Sequence, residues 1–214
     1  MITTNPTKAL DKPFSEVIYS TNELILTQCY KETVSNRDLE HSLIQGSTVK
    51  VVSSYDTSYQ AFGLITKINN SSLDHVHKPS ALGLSSKELE HLQPQVYDLL
   101  RKEVEIYLFA YKNNKGEIIK SIPPQALLVH DFVYWTNKEE ILELTNELST
   151  LTYLLKKNNL KPDILIELVK AGYFLRSNSY DYLLKVSREI SVAYSDDIES
   201  LMPALKSLSL VKKN

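Results

Sequence analysis

The stretch that most constrains the fold lies between Gly46 and Asn69, GSTVKVVSSYDTSYQAFGLITKIN. Val49, Val51 and Val52 form one β-branched run, Ala61, Phe62, Leu64, Ile65 and Ile68 form a second, and Ser53 to Ser58 supplies polar turn formers between them. Two such runs around a turn predict an antiparallel hairpin. Gly46 and Gly63 are two of only five glycines. Each is expected where a side chain would obstruct, Gly46 in a turn before the first strand and Gly63 at a bulge or close approach within the second. A hairpin of this kind belongs in the middle of a small barrel.

The flanking sequence supplies more strands. Phe14 to Ser20 and Glu23 to Tyr30 alternate apolar with polar residues around Thr21-Asn22, which predicts a first hairpin. Lys31 to Gln45, including Asn36-Arg37-Asp38-Leu39-Glu40, is polar and irregular and reads as a solvated loop. Ser71 to Lys102 reads as an insertion of two short helices. Ser85 and Glu88 have capping-box spacing before Leu89 and Leu92, and Pro94 restarts a helix whose apolar face would carry Val96, Tyr97, Leu99 and Leu100. Val104 to Tyr111 is the strongest strand, Asn113 to Gly116 a turn, and Glu117 to Ile122 its return. Pro123-Pro124 cannot donate to a ladder, so pairing stops there, and Leu127 to Trp135 reads as a closing strand.

From Thr136 the period changes from two to 3.6. Thr136 and Glu139 have capping-box spacing, and Ile141, Leu144, Leu148, Leu151 and Leu155 predict one helix with a buried stripe. Asn158-Asn159 ends it, Pro162 opens a second helix, Ser177 or Ser179 caps a third, and Ser195-Asp196-Asp197 starts a fourth that Pro203 should kink or restart. The chain is therefore expected to be α+β: a flexible tail over residues 1–13, a small antiparallel β-barrel over 14–135 with a helical insertion at 71–102, and a C-terminal helical bundle over 136–214.

Composition narrows the chemistry. The first dozen residues are polar and lack the apolar core of a secretory signal, and no run approaches the roughly 20 apolar residues of a membrane span, so no membrane insertion is expected. A single cysteine, Cys29, excludes an internal disulfide and fits a reducing compartment; within ELILTQC it reads as a buried thiol. Eleven basic and eleven acidic residues fall from Thr136 onward, leaving thirteen and fifteen before it. Neither half carries the basic excess of a nucleic-acid binder, and the 13 tyrosines suit a barrel core and rim better than base stacking.

Few residues suggest catalysis. His75 and His77 beside Asp74, with His91 on the following helix, are candidate metal ligands, but the third ligand of a complete site cannot be placed, so no metal is expected. His130-Asp131 could pair with Cys29 or a serine in a triad, yet no nucleophile elbow, Walker A loop or dinucleotide fingerprint accompanies them. No catalytic residue and no cofactor are expected. His77, Lys78, Pro79 and Leu82, with the Pro123-Pro124 edge, form the candidate partner-binding surface, where exposed Leu and Pro bounded by polar residues make a small anchor.

Two segments, Gly46-Ser47-Thr48-Val49-Lys50-Val51 and Phe62-Gly63-Leu64-Ile65-Thr66-Lys67-Ile68, resemble the strand pattern of the HAS-barrel, the small barrel shared by HerA-type ring ATPases and the N-terminal region of ATP synthase α and β subunits. Residues 74–84 (DHVHKPSALGL), Gln93-Pro94-Gln95-Val96 and Ile122-Pro123-Pro124 are similar to cyanobacterial HAS-barrel proteins that join such a barrel to a helical C-terminal region. Low glycine with abundant Asn, Lys, Ser and Tyr suits an AT-rich genome, and the expected location is cyanobacterial cytoplasm or plastid stroma. In ring ATPases this barrel is a collar that packs subunits and orients partners while a separate domain hydrolyses ATP. The resemblance implies a non-enzymatic adaptor or assembly factor with a protein partner, such as a ring ATPase or a photosynthetic complex. Its alternatives are an accessory factor of a HerA-like DNA-processing system and a structural homo-oligomer.

Overall fold

The computed structural model describes residues 12–31, 43–73 and 80–211. Seven strands build one sheet: β1 (Ser15–Ser20), β2 (Leu24–Cys29), β3 (Thr48–Val52), β4 (Gln60–Ser72), β5 (Leu100–Lys112), β6 (Ile118–Ile119) and β7 (Phe132–Trp135). All pairings are antiparallel. Their order is β2-β1-β7-β3-β4-β5-β6, and β2 also pairs with β5. That extra pairing closes six strands into a barrel, which removes the exposed edges an open sheet would carry.

Inward positions follow the strand period of two. Val17, Ile25, Val49, Val51, Ile65, Ile106 and Val133 are fully buried in the barrel interior. Buried polar groups there are satisfied in series: Ser15 Oγ donates to Thr27 Oγ1 (3.2 Å), which donates to the Val104 carbonyl (3.3 Å). The central hairpin forms as expected, from Thr48 opposite Leu64 to Val52 opposite Gln60. Gly46 sits at φ +90° in the turn before β3, where a Cβ would lie 2.4 Å from the Ile164 carbonyl oxygen. Gly63 lies at a bulge against β5, where a Cβ would lie 2.3 Å from Ile106 Cγ2 and 3.0 Å from the Tyr107 carbonyl oxygen. Both glycines occupy the places expected of them.

The return strand after Gly116 shrinks to two residues, Ile118–Ile119, before the chain leaves the sheet toward Pro123. β7 is likewise short. It begins at Phe132 because Leu128 to Asp131 forms a turn: the Asp131 N–H donates to the Leu128 carbonyl (3.2 Å) and Asp131 Oδ2 accepts from the Leu128 N–H (2.7 Å). His130 stands at φ +76° within this turn.

The C-terminal part contains α3 (Lys138–Leu144), α4 (Ser149–Lys157), a 3-10 turn at Pro162–Leu165, α5 (Ile166–Leu175), α6 (Tyr180–Ala193) and α7 (Ile198–Val211). Two expectations are corrected here. The capping box is Asn137 with Glu140, not Thr136 with Glu139, because the Thr136 hydroxyl is drawn into a 2.7 Å contact with Thr48 Oγ1 on β3. The single helix expected from Ile141 to Leu155 is two helices, broken at residues 145–148. Arg176 explains the break. Its guanidinium donates to Thr145 Oγ1 (2.8 Å), the Leu142 carbonyl (2.8 Å) and Asn146 Oδ1 (2.7 Å), satisfying α3's terminal acceptors from outside the helix. Ser179 caps α6, Asp197 Oδ1 accepts from the Ser200 N–H at the start of α7, and one helix runs through Pro203.

Barrel and bundle share a core. Phe62, Leu64, Tyr107 and Phe109 point out of the barrel and pack with Leu144, Leu148, Leu165 and Leu168. Asn158 Nδ2 donates to Tyr107 Oη (2.8 Å) across the same junction. Lys50 on β3 pairs with Glu140 of α3 at 2.7 Å.

Candidate functional site

The insertion is an extension of the β4–β5 hairpin. Residues 71–72 and 100–102, assigned to it from sequence, are strand: Ser71 pairs with Arg101 and Ser72 with Leu100. The Leu73 N–H donates to the Leu99 carbonyl (2.9 Å), closing the base of an arm that carries α1 (Ser86–Leu92) and α2 (Pro94–Leu99). The Ser85/Glu88 capping box and the Pro94 restart are both present. Accepting the Ser85 hydroxyl and N–H holds the Glu88 carboxyl below its usual range. From residue 80 to residue 100 no described side chain is buried. Leu82, Leu92 and Leu99 are 48%, 63% and 37% exposed.

Where the arm meets the barrel, a cavity of about 370 Å³ opens on the outer face of β1, β2 and the first residues of β5. Ile18, Tyr97 and Leu100 supply apolar wall; Lys31, Arg101 and Lys102 supply positive charge. Strand register brings two of its polar lining residues together: Glu16 opposes Gln28 across β1 and β2. Directly opposed residues face the same side of a sheet, so these stand outward together.

The cavity's charges are held in a definite order. Glu16 is gripped from two sides, by His130 Nδ1 and by the Tyr30 hydroxyl at 3.2 Å. Burial, then the adjacent Glu16 charge, pushes the Tyr30 phenol up to about 12. Lys31 pairs with Asp98 of α2 and so ties the arm to the end of β2. Arg101 Nη1 donates to the carbonyls of Asp98 and Leu100, both at 2.9 Å, while its Nε is shut from water and meets no acceptor among the described residues. Cys29 reaches the cavity from the barrel interior. Burial pushes its thiol up to about 12, partly offset by Lys102.

The site residues expected from sequence distribute unevenly. Asp74, His75, His77, Lys78 and Pro79 lie outside the described residues. His91 is exposed in the last turn of α1, and among the described residues no group of three metal-ligating side chains converges. Leu82 is half-exposed on the arm. Pro124 is exposed, but Pro123 is buried, its carbonyl accepting from Asn22 Nδ2 at 3.0 Å. Cys29 and His130 do meet at one cavity, yet no triad forms. Asp131 directs both oxygens to Ser54 and Leu128, His130 engages Glu16, and a thiol raised to about 12 is the opposite of an activated nucleophile.

The cavity residues Glu16, Tyr30, Arg101 and Lys102 were missed from sequence. Glu16 and Arg101 belong to the outward half of strands identified by their inward half, whereas Lys102 shares the inward period of Val104 and Ile106, and neither signal is readable until the register is known. No helix among the described residues is long and apolar enough to cross a membrane. No protein-family model matches the chain, and no curated protein matches it in sequence.

Proposed function

We propose that this protein is a non-enzymatic adaptor of the HAS-barrel type, in which the barrel and bundle form a rigid base and the arm between β4 and β5 docks on a protein partner. The observation that carries this reading is the arm's lack of any buried described side chain from residue 80 to residue 100. Helices of seven and six residues are far too short to be stable on their own. Such helices need a packing surface, and α2 buries none of its residues within this chain. Leu82, Leu92 and Leu99 would be covered in the complex, and His77, Lys78 and Pro79 are the further contacts proposed from the sequence.

The test is purification from the native host of tagged wild type beside Leu92→Asp/Leu99→Asp, with mass analysis of each eluate in solution. Both positions are exposed, so the variant retains the native fold by circular dichroism. Wild type is expected to elute in a complex of fixed stoichiometry that the variant loses. A wild-type protein that remains a monomer would sink the adaptor reading, and a complex of identical chains would replace it with the homo-oligomer.

A further inference from the structure

We propose that the cavity between the arm and the barrel binds a small carboxylic acid with an apolar body. The carboxylate would sit at Arg101, and the body against Ile18, Tyr97 and Leu100. This does not depend on the adaptor reading. The volume, about 370 Å³, falls in the range of small-molecule sites. Ile18 and Leu100 remain 38% and 40% exposed beside it, apolar surface that a ligand's body would cover.

Charge selects the head group. Among the three lining cations, Lys31 is neutralised by Asp98. Glu16 is taken up by His130 and Tyr30. Arg101, by contrast, lines the cavity and among the described residues donates only to neutral carbonyl oxygens, through Nη1. A carboxylate in the cavity gives this guanidinium the anionic acceptor it lacks, in a charge-assisted bond. A phosphate fits less well. The apolar wall would leave much of its oxygen surface without donors.

The full chain is titrated with 4-phenylbutyrate, its neutral amide 4-phenylbutyramide, and inorganic phosphate, read by calorimetry and by amide hydrogen exchange. The acid is expected to saturate a single site, to bind at least about tenfold more tightly than the amide, and to slow exchange in residues 94–99. Arg101→Gln should reduce acid affinity by about tenfold and leave the amide unchanged, the signature of a lost charge-assisted contact. Ile18→Trp, at an exposed position where the fold tolerates bulk, should fill the cavity and abolish binding of both. Equal binding of acid and amide, binding of phosphate alone, or no saturable binding of the acid at millimolar concentration would each overturn the proposal.

Discussion

Asp131 is a fully buried carboxylate on which the last barrel strand depends. Its Oδ1 accepts from the Ser54 N–H (2.7 Å) and the Ser54 hydroxyl (2.9 Å), and its Oδ2 from the Leu128 N–H (2.7 Å). Its backbone carbonyl accepts from the Val17 N–H on β1 (2.9 Å), so the residue joins three loops and strands at the point where β7 begins. Hydrogen bonds to a charged group contribute roughly 1.5–3 kcal/mol each. Three would sum to far more than the substitution should cost, because Ser54 is exposed and water can replace the carboxylate there. Asp131→Ala is therefore expected to cost about 2–4 kcal/mol, chiefly through the Leu128 N–H and the void left at a buried site. Asp131→Asn keeps one oxygen for Ser54 but turns an NH₂ toward a donor, and should cost about half as much. Urea unfolding followed by circular dichroism measures both, as a fall in midpoint at unchanged slope. A shift for Asp131→Ala within about 0.5 kcal/mol of wild type, the range of an ordinary surface change, would refute the claim that this carboxylate anchors the closing strand.

Two further outcomes follow from single positions. Gly63→Ala places a methyl 2.3 Å from Ile106 Cγ2 and 3.0 Å from a backbone oxygen, and should cost roughly 1–3 kcal/mol by overpacking; an unchanged melting temperature would show that the bulge can widen freely. The Cys29 thiol, raised from 9.0 to about 12, should react with a thiol reagent at pH 8 far more slowly in native than in urea-unfolded protein. Because its folded pKa is raised, the stability linked to this proton is complete below pH 9 and is lost as pH climbs from 9 toward 12. Stability independent of pH across that window would contradict a buried thiol.

The barrel was legible where local chemistry decides. Val49 and Val51 alternate inward, Gly46 and Gly63 mark a turn and a bulge, and Ser85 with Glu88 starts α1 as spaced. Reading failed where a distant residue intervened. Nothing local distinguishes Thr136 from Asn137 as a cap; the Thr48 hydroxyl on β3 decides it. Nothing local breaks the stripe from Ile141 to Leu155; Arg176, thirty-one residues beyond Thr145, does. The cavity was hidden for a related reason. Arg101 and Lys102 begin a strand whose partners, Ser71 and Asn70, only the register identifies. Burial on both faces did leave a trace: Ala61 to Thr66 is buried without interruption, as expected of a strand covered inside and out.

That trace bears on whether barrel and bundle are separable units. The helical period begins cleanly at Thr136 in sequence, yet Phe62, Leu64, Tyr107 and Phe109 are barrel residues whose side chains lie in the bundle's core. Fully burying an apolar side chain of this size contributes about 1.5–3 kcal/mol, so the four together contribute on the order of 6–12 kcal/mol. That equals the whole stability of an ordinary domain, about 5–15 kcal/mol. Residues 12–136 expressed without the bundle would expose all four on adjacent strands and lose the Lys50–Glu140 pair and the Tyr107–Asn158 bond as well. The isolated barrel is therefore expected to aggregate or to be cleaved rapidly by protease at a concentration where the full chain resists. Should it instead unfold at the urea midpoint of the full chain, the apolar junction contributes little, and each half is held by its own core alone.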